Sequence, residues 1–255
     1  MFNFFANLFG YILNIIYNLV NNYGIAIIIF TFLLKLAMLP ISINQQKTLK
    51  KSSKIQIKVK EIQEKYSSDP VRMNQEMIDV YKQENMSPFS GCLTSIIQII
   101  VILSIFYLIS KPLTYMKHVD SDLISKYSKE LAEQSGEPLN YEEIAIIKAK
   151  SEEDPNVNLN MHFLGLDLSD VPSQKYYDIK VYIIPALYVI TSIVSTKLTT
   201  NLNKNNSKEK NIEKSPDGKQ TQEEIMEDMN KQMNIMMPIM SVSIALIAPL
   251  GLALY

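Results

Sequence analysis

The sequence predicts an all-α fold: a polytopic membrane helix bundle with a cytoplasmic helical hairpin and an N-terminal interfacial amphipathic helix. The 255 residues are 47% hydrophobic and 20% charged, but the apolar residues are bunched. Four blocks contain no Lys, Arg, Asp or Glu: residues 1–34, 91–110, 181–196 and 232–255. About 20 apolar residues at a rise of 1.5 Å cross the bilayer core, so these blocks predict membrane spans. A single water-soluble core is excluded, as is a disulfide scaffold, because Cys92 is the only cysteine.

Residues 1–21 are predicted to form a helix that lies on the membrane. They carry no basic region or small-residue cleavage site of a secretory signal. Aromatic and aliphatic side chains cover most of the helix surface. The remaining face carries four polar side chains: Asn3, Asn7, Asn14 and Asn18. This pattern fits a neutral amphipathic helix in the interface better than the alternative, a first span. The sequence NNYG that follows predicts a helix break.

The rest of the chain alternates between apolar and polar segments. We expect span one at 22–40, stopping at Pro40, a hairpin at 41–90, span two at 91–110, an acidic loop at 111–178, span three at 179–197, a flexible linker at 198–232 and span four at 233–255. The linker is rich in Asn, Lys, Ser and Glu, a composition typical of disorder. Two prolines interrupt span four: Pro238 and Pro249.

Periodicity and charge predict the hairpin and its side of the membrane. Two sets of apolar residues recur at helical spacing: Ile55, Val59, Ile62 and Tyr66, and then Met73, Met77, Val80 and Tyr81. Between them, Asp69 can cap the second helix and Pro70 suits its first position. The segment 41–89 has nine Lys and Arg against six acidic residues, whereas 111–178 has seven against thirteen. The positive-inside rule therefore places the hairpin in the cytoplasm, and the acidic loop and the N-terminus outside. Two helical patches are expected in that loop, at 122–134 and 141–150.

Polar side chains inside the spans predict a functional site. Lys35 interrupts span one, and a Lys at mid-bilayer costs about 2.5–3.5 kcal/mol, so it is usually functional or paired. The alternative is that its ammonium snorkels to the headgroups. Further polar groups follow on spans one, two and three: Thr31, Ser95, Gln98, Ser192 and Thr196. Single Ser and Thr residues usually serve helix packing, but spans that each carry a polar stripe can line a wet cavity.

No motif for a metal site or a nucleophile is present. His118 and His162 both lie in the acidic loop, and the patterns HExxH, GxSxG and the P-loop do not occur. We therefore expect neither an enzyme nor a cofactor. A small-solute channel or transporter in which Lys35 binds an anion is an alternative, although internal repeats and paired broken helices are not evident. A non-catalytic assembly chaperone is a further alternative.

The block from Asp69 to Ser110 carries a family resemblance. It reads DPVRMNQEMIDVYKQENMSPFSGCLTSIIQIIVILSIFYLIS and resembles the YidC family of membrane protein insertases, which is related to the mitochondrial Oxa and chloroplast Albino proteins. The similarity includes QEMIDVYKQE, the Pro before Gly91-Cys92, and Gln98. Upstream, YGIAIIIFTFLLKLAMLPI resembles the first core span, and FLGLDL, IMMPIM and APLGLALY fit as well. The resemblance covers nearly the whole chain and is to the short form of Gram-positive bacteria.

The resemblance implies an insertase and chaperone of the bacterial plasma membrane, with a hydrophilic groove open to cytoplasm and lipid. It places the family's intramembrane arginine on Lys35 and groove residues on Thr31, Gln98 and Thr196, beside which Ser95 and Ser192 add polar groups. It also implies that the hairpin receives clients or gates the groove, through four residues: Glu76, Met77, Tyr81 and Lys82. The implied partners are nascent membrane proteins and lipids, with the Sec translocon, the ribosome and the signal recognition particle receptor as further candidates, and no specific nucleic acid.

The chain departs from the family pattern at several positions. Lys35 is a point charge where the family has a planar guanidinium, and Thr94 and Ile100 replace prolines of span two. The lipoprotein cysteine of many Gram-positive relatives is absent, because Cys92 lies elsewhere. The family continues past LALY into a last span that contributes an aromatic groove residue. Because this sequence ends at Tyr255, we expect either a truncation or a groove that lacks one wall.

Overall fold

Helices form nearly all of the regular structure in the computed structural model, which describes residues 2–84, 90–136, 139–207, 236 and 239–255. The helices are α1 (Phe2–Val20), α2 (Tyr23–Lys65), α3 (Pro70–Gln83), α4 (Ser90–Ser110), α5 (Pro112–Tyr115), α6 (Ser121–Ser135), α7 (Glu142–Lys150), α8 (Ile183–Ser207), α9 (239–247) and α10 (Leu250–Leu254). A short antiparallel pair joins β1 (His162–Phe163) to β2 (Leu166–Asp167). The predicted all-α class is confirmed, as are both helical patches of the acidic segment.

Within the part of the chain that the structure describes, three stretches are long and apolar enough to cross a membrane: Phe2–Val20, Tyr23–Thr48 and Ile179–Leu198. A shorter apolar helix covers Ile96–Ser110. The membrane helix bundle expected from the charge-free blocks is therefore confirmed. The first of these stretches is α1, so by length and composition alone it could also form the span that was the alternative to an interfacial helix.

The boundary between α1 and α2 lies where the sequence predicts it. Asn21 has a φ of +48°, and the side chain of Asn22 caps α2 by accepting a hydrogen bond from the Ile25 amide at 3.1 Å. Span one is expected to stop at Pro40, and the helix that contains it, α2, continues through that residue to Lys65. A proline inside a helix removes one backbone hydrogen-bond donor. The residues on both sides of Pro40 nevertheless remain helical.

The predicted hairpin is confirmed over the residues that the structure describes up to position 84. The carboxylate of Asp69 accepts a hydrogen bond from the Arg72 amide at 3.1 Å, and Pro70 takes the first position of α3. The two helices lie against each other, with Ile55 buried on α2 and the Lys58 ammonium 2.6 Å from the Glu84 carboxylate. The predicted closure at positions 87–88 lies outside the described residues.

Most buried side chains gather at one end of the bundle, which we call the capped end. It comprises α1, the first turns of α2, the last turns of α4, the helix α7, the segment 157–171, the start of α8, and α10. Its fully buried side chains include Leu13, Tyr23, Ile27, Leu108, Leu113, Ile146, Leu168 and Leu250. The polar acidic segment is thus folded onto the spans, a packing role that its composition did not predict.

A sharp elbow separates α9 from α10 and is held by backbone hydrogen bonds to the segment 168–173. The amides of Leu250 and Gly251 donate to the carbonyls of Asp170 and Leu168, each at 2.9 Å, and the Ser173 amide donates to Leu246 at 2.9 Å. The predicted interruption at Pro249 is therefore confirmed, whereas Pro238 lies outside the described residues. The expected linker begins as helix, because α8 extends to Ser207.

Candidate groove between the spans

Lys35 is the most unusual residue of the spans, and it lies in the middle of one. It is the thirteenth residue of the 26-residue apolar stretch Tyr23–Thr48, about 18 Å along the helix from Tyr23 at 1.5 Å per residue. Its side chain is exposed and has no hydrogen bond or ion pair within the part of the chain that the structure describes. A cation therefore stands at the centre of an apolar helix without a protein counter-ion there.

Thr31 lies one helical turn from Lys35, on the side of the capped end. Positions i and i+4 share a helix face, so the two polar groups follow one line along α2. The Thr31 hydroxyl oxygen is enclosed and has no hydrogen-bond partner among the described residues. An enclosed hydroxyl without a partner costs about 1–3 kcal/mol, so this position favours a polar group that approaches it.

Two other predicted groove residues lie on α4 and α8, at similar distances along those helices from the capped end. The starts of α2 and α8 and the end of α4 belong to the same buried cluster, so the distance of each residue from that cluster can be counted along its own helix. Gln98 is twelve residues before Ser110, about 18 Å away, and Thr196 is thirteen residues after the start of α8, about 20 Å. Each therefore lies about as far along its own helix from the capped end as Lys35 does along α2.

The remaining two groove candidates lie on either side of that distance. Ser192 is nine residues into α8 and half-buried, about 14 Å along the helix, close to the value for Thr31. Ser95 is fifteen residues before the end of α4, about 22 Å along that helix. Counted along their own helices, the predicted groove positions thus lie about 12–22 Å from the capped end.

Burial changes abruptly along the same three helices. The short helix α10 packs against α2, α4 and α8 at the capped end. Beyond it, none of the described side chains in the ranges 31–48, 96–103 and 186–198 is buried. The spans therefore present exposed, mostly apolar faces with a few polar groups over the half of the bundle away from the cap.

The four predicted hairpin residues divide into two kinds. Glu76 and Met77 face α2: the Tyr66 hydroxyl donates to the Glu76 carboxylate at 3.5 Å, and the Gln63 amide lies 3.9 Å from the Met77 sulfur. Tyr81 is half-buried, and Lys82 is exposed, 3.7 Å from the Asp79 carboxylate. Glu76 and Met77 thus help to build the hairpin, and Lys82 remains on its surface.

Two carboxylates of the capped end were missed by the sequence reasoning. The buried Glu143 accepts hydrogen bonds from the Leu113 amide at 2.7 Å and from the Thr114 amide and hydroxyl at 3.0 and 2.6 Å. Burial raises the pKa of the Glu143 carboxyl, and these hydrogen bonds offset part of the rise. The helical spacing could have identified Glu143 as a buried residue, because it lies three and four residues before the apolar Ile146 and Ile147 and shares their helix face.

The second missed carboxylate is Asp170, which lies beside the elbow. Its buried side chain accepts from the ammonium groups of Lys148 and Lys175, at 2.5 and 2.8 Å. Burial acts to raise the pKa of Asp170, but the two ammonium groups outweigh it and hold the pKa below its usual value. The residue therefore remains a carboxylate. Its ion pair with Lys148 connects α7 to the segment 168–173, which is hydrogen-bonded to the elbow. The sequence carries no periodic signal for this contact.

The fold and the site define a class of protein: a helical membrane protein with polar groups at mid-depth on several spans. The family model described as 60Kd inner membrane protein matches residues 15–255. The chain belongs to this family, and the resemblance seen in the sequence is confirmed. With its candidate spans, it is a bacterial membrane protein.

Individual relatives match a shorter part of the chain. A stretch of 99 residues is 39% identical to Membrane protein insertase YidC of Chlorobaculum parvum, covering 39% of this chain and 17% of that protein. A stretch of 109 residues is 35% identical to Membrane protein insertase YidC of Francisella tularensis subsp. novicida, covering 43% of this chain and 20% of that protein. The chain thus matches a fifth or less of the length of these curated relatives.

Proposed function

We propose that this chain is a membrane protein insertase that moves polar segments of its clients through a groove formed by α2, α4 and α8. The observation that carries the proposal is the exposed ammonium of Lys35 at the midpoint of an apolar helix. Family membership and the names of the curated relatives support the same activity. No catalytic step and no cofactor are part of the mechanism.

The proposed orientation puts the capped end outside and the α2–α3 hairpin in the cytoplasm. The basic character of 41–89 and the acidic character of 111–178 support it through the positive-inside rule. The groove then opens toward the cytoplasm and the lipid, over the half of the bundle in which no described span residue is buried. It is closed on the outer side by α10 and the acidic segment.

The helix α1 is proposed to lie in the outer interface. Its first turn, middle and last turn all contact the acidic segment: the Tyr115 hydroxyl donates to Asn3 at 3.1 Å, Tyr11 stacks on His118, and the Asn160 amide donates to the Tyr17 hydroxyl at 2.9 Å. A spanning helix would carry one end about 27 Å away from that segment. The contacts along its whole length support an interfacial helix.

The groove lowers the barrier for a client's polar tail. In bare hydrocarbon, each unpaired polar group costs several kcal/mol. A wet groove halfway across shortens that path, and the Lys35 ammonium attracts acidic residues of the tail in a medium of low dielectric constant. The client's apolar segment then moves along the exposed faces of α2 and α9 into lipid, and its burial drives the step without a nucleotide.

The proposed partners follow from this mechanism. Nascent membrane proteins are the clients, and lipids surround the open side of the groove. The hairpin receives clients or gates the groove, with Lys82 exposed on its surface. The Sec translocon, the ribosome and the signal recognition particle receptor are candidate suppliers of clients, and no specific nucleic acid is involved.

The test is insertion of a small single-span client with an acidic outer tail into liposomes that contain the purified chain. Loss of about 1 kcal/mol of electrostatic attraction slows a step about fivefold, so we expect Lys35→Ala to reduce insertion at least that much and Lys35→Arg to restore it. Lys126→Ala, which removes an exposed lysine of α6, is the matched control. Equal insertion by all four proteins would contradict the role of the groove charge.

Two further measurements separate the alternatives. Flux of chloride or phosphate through the same liposomes, abolished by Lys35→Ala, would favour an anion channel over an insertase. A photo-crosslinker at Gln98 should trap many different nascent clients if the groove is used for insertion. A single stable adduct would instead favour an assembly chaperone with one fixed partner.

A further inference from the structure

A cavity of about 560 Å³ lies at the end of α4, apart from the candidate groove. It is bounded by the last turn of α4, the first turn of α7 and the end of α9. Its lining includes Phe106, Tyr107, Ser110, Lys111, Glu142 and Ile247. Since Ser110 ends an apolar helix and Lys111 begins a polar segment, the cavity lies at the level where hydrocarbon gives way to headgroups.

The lining of the cavity is divided into an apolar side and a polar side. Phe106, Tyr107 and Ile247 are exposed, mostly apolar side chains on α4 and α9. On the other side, the Ser110 hydroxyl oxygen is enclosed and lacks a hydrogen-bond partner among the described residues. Such a division fits a ligand with an apolar chain and a polar head.

The charged groups at the cavity indicate which head it takes. The Lys111 ammonium is exposed and has no ion pair within the described residues, so it is available to a phosphate. Glu143 is engaged by its three hydrogen bonds from residues 113 and 114. Glu142 is exposed and available, so a cation and an anion both border the opening.

We propose that this cavity binds one membrane phospholipid with an amino headgroup. Its phosphate pairs with Lys111 and accepts a hydrogen bond from the Ser110 hydroxyl, and its ammonium pairs with Glu142. Its acyl chains lie along Phe106, Tyr107 and Ile247. The lipid joins α4, α7 and α9 at the rim of the capped end, beside the elbow that the segment 168–173 holds.

The test uses the full chain in detergent, with its melting temperature followed by circular dichroism. A ligand at 100 times its dissociation constant stabilises a protein by about 2.7 kcal/mol, so added phosphatidylethanolamine should raise the melting temperature by several degrees and phosphatidylglycerol by less. Lys111→Gln should lose the increase, and Lys126→Gln, on the exposed face of α6, should keep it. Glu142→Gln should remove the preference for phosphatidylethanolamine over phosphatidylglycerol.

Three outcomes would overturn the proposal. An undiminished increase in Lys111→Gln would show that the lysine does not bind the lipid. An equal increase with inorganic phosphate would indicate an anion site without a lipid, and equal effects of the two lipids on the wild type would exclude recognition of the ammonium. Native mass spectrometry gives a second readout, because the wild type should retain one phosphatidylethanolamine and Lys111→Glu should retain none.

Discussion

The capped end and the free half of the spans are built on different principles, although the same helices run through both. At the capped end, α1, α7 and α10 cover the ends of α2, α4 and α8, and buried carboxylates tie the loops together. In the free half, which comprises residues 31–48 of α2, 96–103 of α4 and 186–198 of α8, no described side chain is buried. Stability is therefore concentrated at one end of the molecule.

The physical reason lies in the solvent that each region meets. Apolar side chains of a span that face lipid gain little from packing together, because acyl chains are as apolar as Leu. Apolar side chains beneath a loop in water gain about 25 cal/mol per Å² buried. A protein that offers its span faces to passing clients can leave them open, provided that another region holds the helices together.

The sharpest test of this contrast uses two phenylalanines two residues apart on α2. Phe30 is 3% exposed and packs against Phe9 with ring centroids 5.9 Å apart, whereas Phe32 is 63% exposed. We expect Phe30→Ala to lower the free energy of unfolding by about 3–4 kcal/mol and Phe32→Ala by less than about 0.5 kcal/mol. Thermal unfolding in detergent, followed by circular dichroism at 222 nm, measures both.

Similar losses for the two variants would show that the free half is packed as tightly as the cap. Phe32→Ala is the matched control for Phe30→Ala, since both changes remove the same ring from the same helix. A second consequence concerns function, because Phe32 lies one turn from Lys35 along the open face and its loss should reduce insertion of clients without lowering stability.

The contact between α1 and the cap should also be sensitive to one added carbon. At Gly10, a Cβ atom would lie 1.9 Å from the carbonyl oxygen of Tyr115, so Gly10→Ala must push α1 away. We expect a loss of about 2–3 kcal/mol, measured by the same melting experiment. Asn18→Ala, on an exposed position of α1, is the control, and an unchanged melting temperature for Gly10→Ala would mean that α1 does not pack on the cap in the membrane protein.

The elbow should depend on the charge of Asp170. Asp170→Asn keeps an acceptor but loses two charge-assisted bonds, and because both lysines are partly exposed we expect a loss of only about 1–2 kcal/mol. The pKa of Asp170 is depressed in the fold, so its contribution is full above the ordinary value near 4 and is lost as the pH falls below it. The melting temperatures of the wild type and Asp170→Asn should therefore differ at pH 7 and converge at pH 3. The control Glu133→Gln, an exposed change on α6, should leave the melting temperature unchanged at both pH values.

Much of the fold could be predicted from the sequence because its signals are local. Charge-free blocks identified the apolar helices, the pair Asp69-Pro70 located the start of α3, and Pro249 located the elbow. The depth of Lys35 within span one could likewise be counted from the chain. These features depend on residues close together in sequence, so composition and period suffice.

The features that escaped prediction depend on distant contacts. Asp170 and Glu143 are ordinary acidic residues in an acidic segment, and only the fold brings them to Lys148 and to the Leu113 amide. Pro40 was predicted as the end of span one, and only the fold shows that α2 continues through it as one helix to Lys65. The roles of the groove residues stay predictions until insertion is measured.

The smallest expected effect on stability is that of Glu143→Gln, and the pH dependence of Glu143 is opposite to that of Asp170. Burial raises the pKa of the Glu143 carboxyl, so its contribution to stability is full below the ordinary value of about 4.3 and is lost as the pH rises through the raised pKa. Glu143→Gln keeps an oxygen for the two amide donors and lets the Thr114 hydroxyl accept from the new amide, so at pH 7 we expect a change within about 0.5 kcal/mol. The wild type should become less stable between pH 4 and pH 7 through the ionisation of Glu143, and Glu143→Gln should not. Melting temperatures measured at both pH values would show this difference. Glu143→Ala leaves the Leu113 and Thr114 amides buried without partners and should cost about 1–3 kcal/mol for each, so a mild effect of that variant would mean that water reaches this part of the cap.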